Sequence, residues 1–104
     1  MPKGLSTKMS GNKLYTIEYL ISVIDKDIPV LPKSAKKIIQ KAIEERLATD
    51  PIGFGKPLRY SLKGHRRLRV GDYRVVYRIE QAPDLVVIVA IKHRKDVYRV
   101  IDSN

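Results

Sequence analysis

Apolar positions change their spacing twice along this chain of 104 residues. The stretch from Leu14 to about Leu20 alternates through Tyr15-Thr-Ile-Glu-Tyr and predicts a first strand. Ser22 to Leu31 suits a helix of a turn or two, limited by Pro29. From Ala35 the spacing becomes helical. Ala35, Ile38, Ile39, Ala42, Ile43 and Leu47 fall on one face, with Lys36, Lys37, Gln40, Lys41, Glu44 and Glu45 elsewhere. Pro32 stands ahead of this helix, and Thr49-Asp50-Pro51 stops it. Ile52 to Gly64 is a connection punctuated by Gly and Pro, pinned by Leu58 and Leu62. Its glycines lack the spacing and the following Lys-Ser/Thr of a phosphate-binding P-loop.

From His65 the period is two. His65 to Val70 and Tyr73 to Ile79 predict a hairpin closed by Gly71-Asp72. Glu80 to Asp84 makes a second turn, and Leu85 to Lys92, apolar on both faces, reads as a central strand. Asp96 to Ile101 has the length for a short closing helix. The order implies a small single-domain α+β fold, an antiparallel sheet with helices packed on one face, over residues 14–104. Residues 1–13, polar with three lysines, read as a disordered leader, and Met9 offers an alternative start.

Composition narrows the function. The longest apolar run, Leu85 to Ile91, is seven residues, too short to span a bilayer. Cysteine is absent, which removes disulfides and thiolate metal sites and favours a cytoplasmic location. Twenty-one Lys and Arg against eleven acids give +10, and the excess is concentrated. Lys56 to Arg78 holds eight basic residues and one acid, Asp72. Such a field attracts polyanions.

The hairpin sharpens this. A two-residue turn at Gly71-Asp72 sets Arg69 opposite Arg74, Arg67 opposite Val76 and His65 opposite Arg78. Side chains alternate across a strand, so His65, Arg67, Arg69, Arg74 and Arg78 share one face. Leu68, Val70, Tyr73, Val75, Tyr77 and Ile79 take the other, with Arg66 at its margin. Like charges directly opposite cost stability. A solvated outer face would mix in acids, and here they are missing; a polyanion site explains both facts. Arginine's planar fork matches phosphate oxygens and stays charged. The third strand ends in Lys92-His93-Arg94-Lys95-Asp96-Val97-Tyr98, which brings Arg94 and Tyr98 towards the edge of this plate. Taken alone, His93 reads first as a structural histidine, and Tyr98 fits helix-to-sheet packing as well as base stacking.

GDYRVVY (Gly71 to Tyr77) followed by HRKDVY (His93 to Tyr98) resembles the signature of RelE-type toxins in the RelE/ParE superfamily. Asp27 to Pro51 and Lys56 to Val70 look like that family's helix and entry strand, so the resemblance covers about residues 14 to 101. It implies a ribonuclease acting on mRNA in the ribosomal A site, where the 2′-hydroxyl attacks the adjacent phosphodiester and leaves a 2′,3′-cyclic phosphate. By the matched motifs, Arg74 holds the scissile phosphate, Arg94 contacts phosphate or assists the leaving oxygen, and Tyr98 stacks on a base. Arg67 and Arg69 occupy the family's basic positions before the turn. Lys63, His65, Arg78, Lys92 and His93 are the RNA contacts expected around them. The family often has lysines near the entry-strand positions; arginine, with a pKa above about 12, is a poor base. The base is then Lys63, His65 or His93, or the ribosome contributes, or catalysis is electrostatic positioning. No metal or cofactor is expected, because this face lacks acidic and thiolate ligands. The implied partners are the ribosome with its mRNA and an acidic protein antitoxin, with DNA met only through the antitoxin. Two other readings stay open: a ParE-type inhibitor of DNA gyrase on the same fold, and a non-catalytic nucleic-acid binder.

Overall fold

A computed structural model describes residues 14–80 and 84–97. The expected leader, part of the second turn, Tyr98 and most of the expected closing helix lie outside the described residues.

The elements run β1 (Thr16–Tyr19), α1 (Val23–Asp27), α2 (Lys33–Ala42, continued through Ile43–Leu47), α3 (Pro51–Phe54), β2 (Lys56–Pro57), β3 (His65–Val70), β4 (Tyr73–Glu80) and β5 (Leu85–His93). Residues 94–97 form a further helical turn. The five strands make one sheet in the order β1-β5-β4-β3-β2. The α+β architecture is the one expected, but the sheet is mixed: β1 pairs with β5 in parallel, and every other pair is antiparallel. A strand followed by helices has room for the crossover that parallel pairing requires.

The core follows the periodicities. Ile39, Ala42, Ile43 and Leu47 of α2 pack against Leu68, Val70, Val75, Tyr77, Val86, Ile88 and Ile91 of the sheet. Ile38 departs from the expected stripe and is 60% exposed. It lies at the rim of the apolar arc, over a shallow groove beside Val70, Gly71 and Tyr73. Thr49 Oγ1 donates to the carbonyls of Glu45 (2.7 Å) and Arg46 (3.2 Å), satisfying the end of α2. Asp50 then caps α3 by accepting from Gly53 N at 2.9 Å, with Pro51 in the first turn. The residues that stop one helix start the next.

The connection after α3 is held to the sheet by two clamps. Tyr77 Oη donates to Pro51 O at 2.5 Å, and Arg66 Nη2 donates to Ile52 O and Gly55 O at 2.7 and 2.8 Å. Burial pushes the Tyr77 phenol upward, opposed in part by the Arg66 hydrogen bond and charge.

β5 is central, as its sequence implies. Val76 pairs with Ala90 but Tyr77 pairs with Ile88, leaving Val89 as an extra residue. This bulge lets Ile88 and Ile91 both face the helices while Ala90 faces away. β1 ends at Tyr19, and beyond Leu20 N→Ile88 O (3.1 Å) the outer edge of β5 has no strand beside it among the described residues. Asp27 of α1, 6% exposed, takes that place: Oδ2 accepts from Ile91 N at 2.9 Å and Oδ1 pairs with Lys92 Nζ at 2.7 Å. A side chain thus satisfies a backbone donor that would otherwise be orphaned.

Candidate phosphate-binding site

The hairpin register is the one derived from the turn. His65 faces Arg78, Arg67 faces Val76 and Arg69 faces Arg74. Gly71 has φ +57°, and among the described non-glycine residues only Tyr60 has positive φ. The left-handed residue is therefore the first of the two in the turn, as in a type II′ turn, where glycine carries no steric cost.

The turn does more than reverse the chain. Arg74 Nη1 donates to Gly71 O and Tyr73 O, both at 2.9 Å. Arg94 N donates to Asp72 O at 2.7 Å, and Arg94 Nε lies 3.7 Å from Asp72 Oδ1. The turn therefore gathers two guanidinium groups from β4 and from the end of β5, with Arg69 of β3 directly across. Arg94 is 58% exposed and Asp72 69%, so this ion pair is screened and opens readily. Arg74 donates to neutral carbonyls and the carboxylate partner of Arg94 is solvent-screened, which suits capture of a phosphate.

The plate of arginines is not continuous. Val76, on the same face, is fully buried under Ala90, Val97, Leu58 and Val89. The helical turn at 94–97 therefore folds back onto the face opposite α1 and α2, so the helices do not all lie on one side. The apolar plug divides the face. Arg69, Arg74 and Arg94 cluster at the hairpin turn, while His65 and Arg78 lie at the other end. Arg67, half-buried beside the plug, sits between them.

Other expected contacts are placed differently. Arg78 Nε pairs with Glu80 Oε2 at 3.0 Å, so Asp72 is not the only carboxylate near the face. Lys92 is in register with Arg74, but its ammonium wraps around the free edge of β5 to Asp27. His93 is in register with Tyr73 on the helix side, its ring meeting the Tyr73 ring edge-on at 5.4 Å between centroids. It is not brought to the arginine face. Lys63 is exposed in the loop before β3, and Tyr98 falls outside the described residues. Sequence reasoning missed the roles of Asp27 and of the Val76 plug. The first depends on a contact 64 residues away in sequence, the second on where the chain returns after β5. Among the described residues no group of three or more His, Asp or Glu side chains is placed to hold a metal ion.

Comparison with known proteins agrees with this geometry. The family model described as the ParE toxin of type II toxin–antitoxin systems matches residues 18–98. Toxin RelG of Mycobacterium tuberculosis is 34% identical over 85 residues, covering 82% of this chain and 97% of that protein. Toxin RelE of the same organism is 36% identical over 75 residues, covering 72% and 77%. The crystal structure of the toxin–antitoxin complex RelBE2 from M. tuberculosis contains a chain of the same fold, with TM-score 0.74 and 32% identity over 81% of this chain and 95% of that one. With the paired arginines at its hairpin turn and matches of this extent, the chain belongs to the RelE/ParE superfamily of toxins from type II toxin–antitoxin systems.

Proposed function

We propose that this toxin is a ribosome-dependent mRNA endoribonuclease acting in the cytoplasm, and that Arg74, Arg94 and Arg69 form its phosphate site. The observation that carries the reading is the convergence of Arg74 and Arg94 on the Gly71-Asp72 turn, opposite Arg69. Fixed cations aimed where charge develops are the largest lever for a reaction that builds charge on phosphorus-bound oxygens. In the proposed step the ribose 2′-oxygen bonds to phosphorus and the bond to the 5′-oxygen breaks. The 2′-hydroxyl proton passes to a base supplied by this chain, the ribosome or solvent, and the leaving 5′-oxygen takes up a proton from the conjugate acid.

The placement of the candidate bases bears on how this is done. His93 is on the other side of the sheet. His65 shares the face but stands four residues along β3 from Arg69, on the order of 13 Å away. Neither is set to share one phosphate with Arg74, His93 because of its face and His65 because of its distance, and Lys63, exposed in the loop before β3, lies further along the chain from the turn than His65. Catalysis then rests on electrostatics and positioning, with Tyr98 stacking on a base and the ribosome holding the RNA for in-line attack. Mapping cleavage in a reconstituted translation reaction tests this: cuts in ribosome-bound mRNA with naked RNA left nearly intact are expected. Efficient cutting of purified RNA would refute it.

The partner reading is an acidic antitoxin, partly disordered when free, that covers the arginine face and the helix side. Support comes from the +10 charge and from a groove of about 290 Å³ lined by Tyr19, Ile28, Leu31, Ile39, Ile43 and Ile91. Ile38, Ile21 and Ile24 on the helical segments, and Val30 in the turn after α1, are exposed apolar residues. Co-purification from the native host should yield such a chain. The second reading, inhibition of DNA gyrase, is favoured by one observation, the match to a ParE family model. Growth arrest with trapped gyrase and intact mRNA would select it.

A further inference from the structure

Beyond the turn site, β3 has an open edge. β2 pairs only with Arg66 and Arg67, so past Arg67 the outer edge of β3, away from β4, has no strand beside it among the described residues. A cleft opens there, lined by Arg46 of α2, Phe54 of α3, Lys56 of β2, and Arg67, Leu68 and Arg69 of β3. None of its lining residues is acidic. Arg46, Lys56 and Arg69 are exposed and make no ion pair among the described residues. Between them stands Phe54, 52% exposed and the chain's only phenylalanine. A solvated basic surface accounts for the cations. It does not account for a large aromatic ring left half in water among them.

Arg69 connects this cleft to the turn site, since it faces Arg74 across the hairpin and lines the cleft as well. We infer that the cleft is a second nucleotide subsite, which takes single-stranded RNA running off the arginine face, stacks one base on Phe54 and pairs its phosphates with Arg46, Lys56 and Arg69. An aromatic platform beside a cationic track is the arrangement that binds single strands without reading their sequence. The inference rests on the proposed RNA activity for its biological use, but binding is separable from cleavage.

The chain has no tryptophan, so Phe54→Trp places a single indole at the proposed platform, excited selectively over the six tyrosines. The full-length variant is titrated with a 2′-O-methyl RNA oligonucleotide, which lacks the attacking hydroxyl and is not cut. Saturable quenching is expected, weakening with salt. Phe54→Ala should weaken binding roughly 5- to 150-fold, the loss that corresponds to one base–aromatic stack. Arg46→Gln and Lys56→Gln should each flatten the dependence of log affinity on log salt by about 0.7, while Lys41→Gln on the outer face of α2 leaves it unchanged. An unquenched signal from the introduced indole, or unchanged affinity in Phe54→Ala, overturns the subsite. So does quenching by polyglutamate that the oligonucleotide fails to displace, which would make the cleft an acidic-peptide site. Quenching by the oligonucleotide in a protein that cuts no mRNA on ribosomes would keep the subsite and refute the proposed activity. Ribosome-dependent cutting without quenching would do the reverse.

Discussion

Arg74→Ala is the sharpest test of the phosphate site, because its effects on stability and on rate differ in size. The substitution removes two hydrogen bonds from the guanidinium to Gly71 O and Tyr73 O. Both are partly solvated, so each is worth on the order of 0.5–1 kcal/mol rather than the full value of a buried charged bond. It also relieves repulsion with Arg69, a few tenths of a kcal/mol. The net cost is about 1 kcal/mol, equivalent to a drop in Tm of roughly 4–8 °C for a domain this size. Starting even from a modest stability of about 5 kcal/mol, roughly one molecule in a thousand would then be unfolded. Loss of one donor to the transition state costs far more, about 10²- to 10³-fold in rate. Unfolding therefore does not explain such a loss at room temperature. Arg74→Lys keeps the charge but not the fork and should recover only part of the rate. The assay is ribosome-dependent cleavage beside thermal unfolding for each variant. Full activity in Arg74→Ala, or a loss that tracks the unfolded fraction, would refute the assignment.

Three further outcomes follow from the fold. Asp27→Ala leaves Ile91 N–H without its partner and should cost about 1–3 kcal/mol in urea unfolding, with faster amide exchange at Ile91; Asp27→Asn, which keeps an acceptor, should lose less. Gly55→Ala puts a Cβ into the buried Tyr77 phenol and should destabilise by about 1–3 kcal/mol, and a Tyr77→Phe background should relieve part of that cost. Tyr19 and Tyr77 both have their phenols raised, Tyr19 by burial and then by the Glu44 charge, Tyr77 by burial. A raised folded value means the native state holds the proton more tightly. Their contribution is then complete below about pH 10 and is lost as pH climbs through the folded values. Unfolding followed from pH 8 to 11 should show this decline, and Tyr77→Phe should flatten it.

Much of this is legible from local pattern. A side chain's face on a strand depends only on parity and on the turn, so GDYR by itself places Arg69 opposite Arg74. The buried stripe of α2 depends only on helical spacing, although Ile38 at its rim shows that spacing does not set how far the sheet reaches. The fate of each cation is another matter. Lys92 and Arg78 look equivalent to Arg74 in sequence, yet Lys92 folds around an edge to Asp27 and Arg78 pairs with Glu80. The parallel pairing of β1, the Val89 bulge and the Val76 plug also escape the pattern. Parity and periodicity are properties of neighbouring residues, and the sequence by itself determined those. Which carboxylate meets which cation, and which part of a basic face is covered, depends on contacts between residues far apart in the chain. Those belong to the assembled sheet and its helices, and only the tertiary structure decided them.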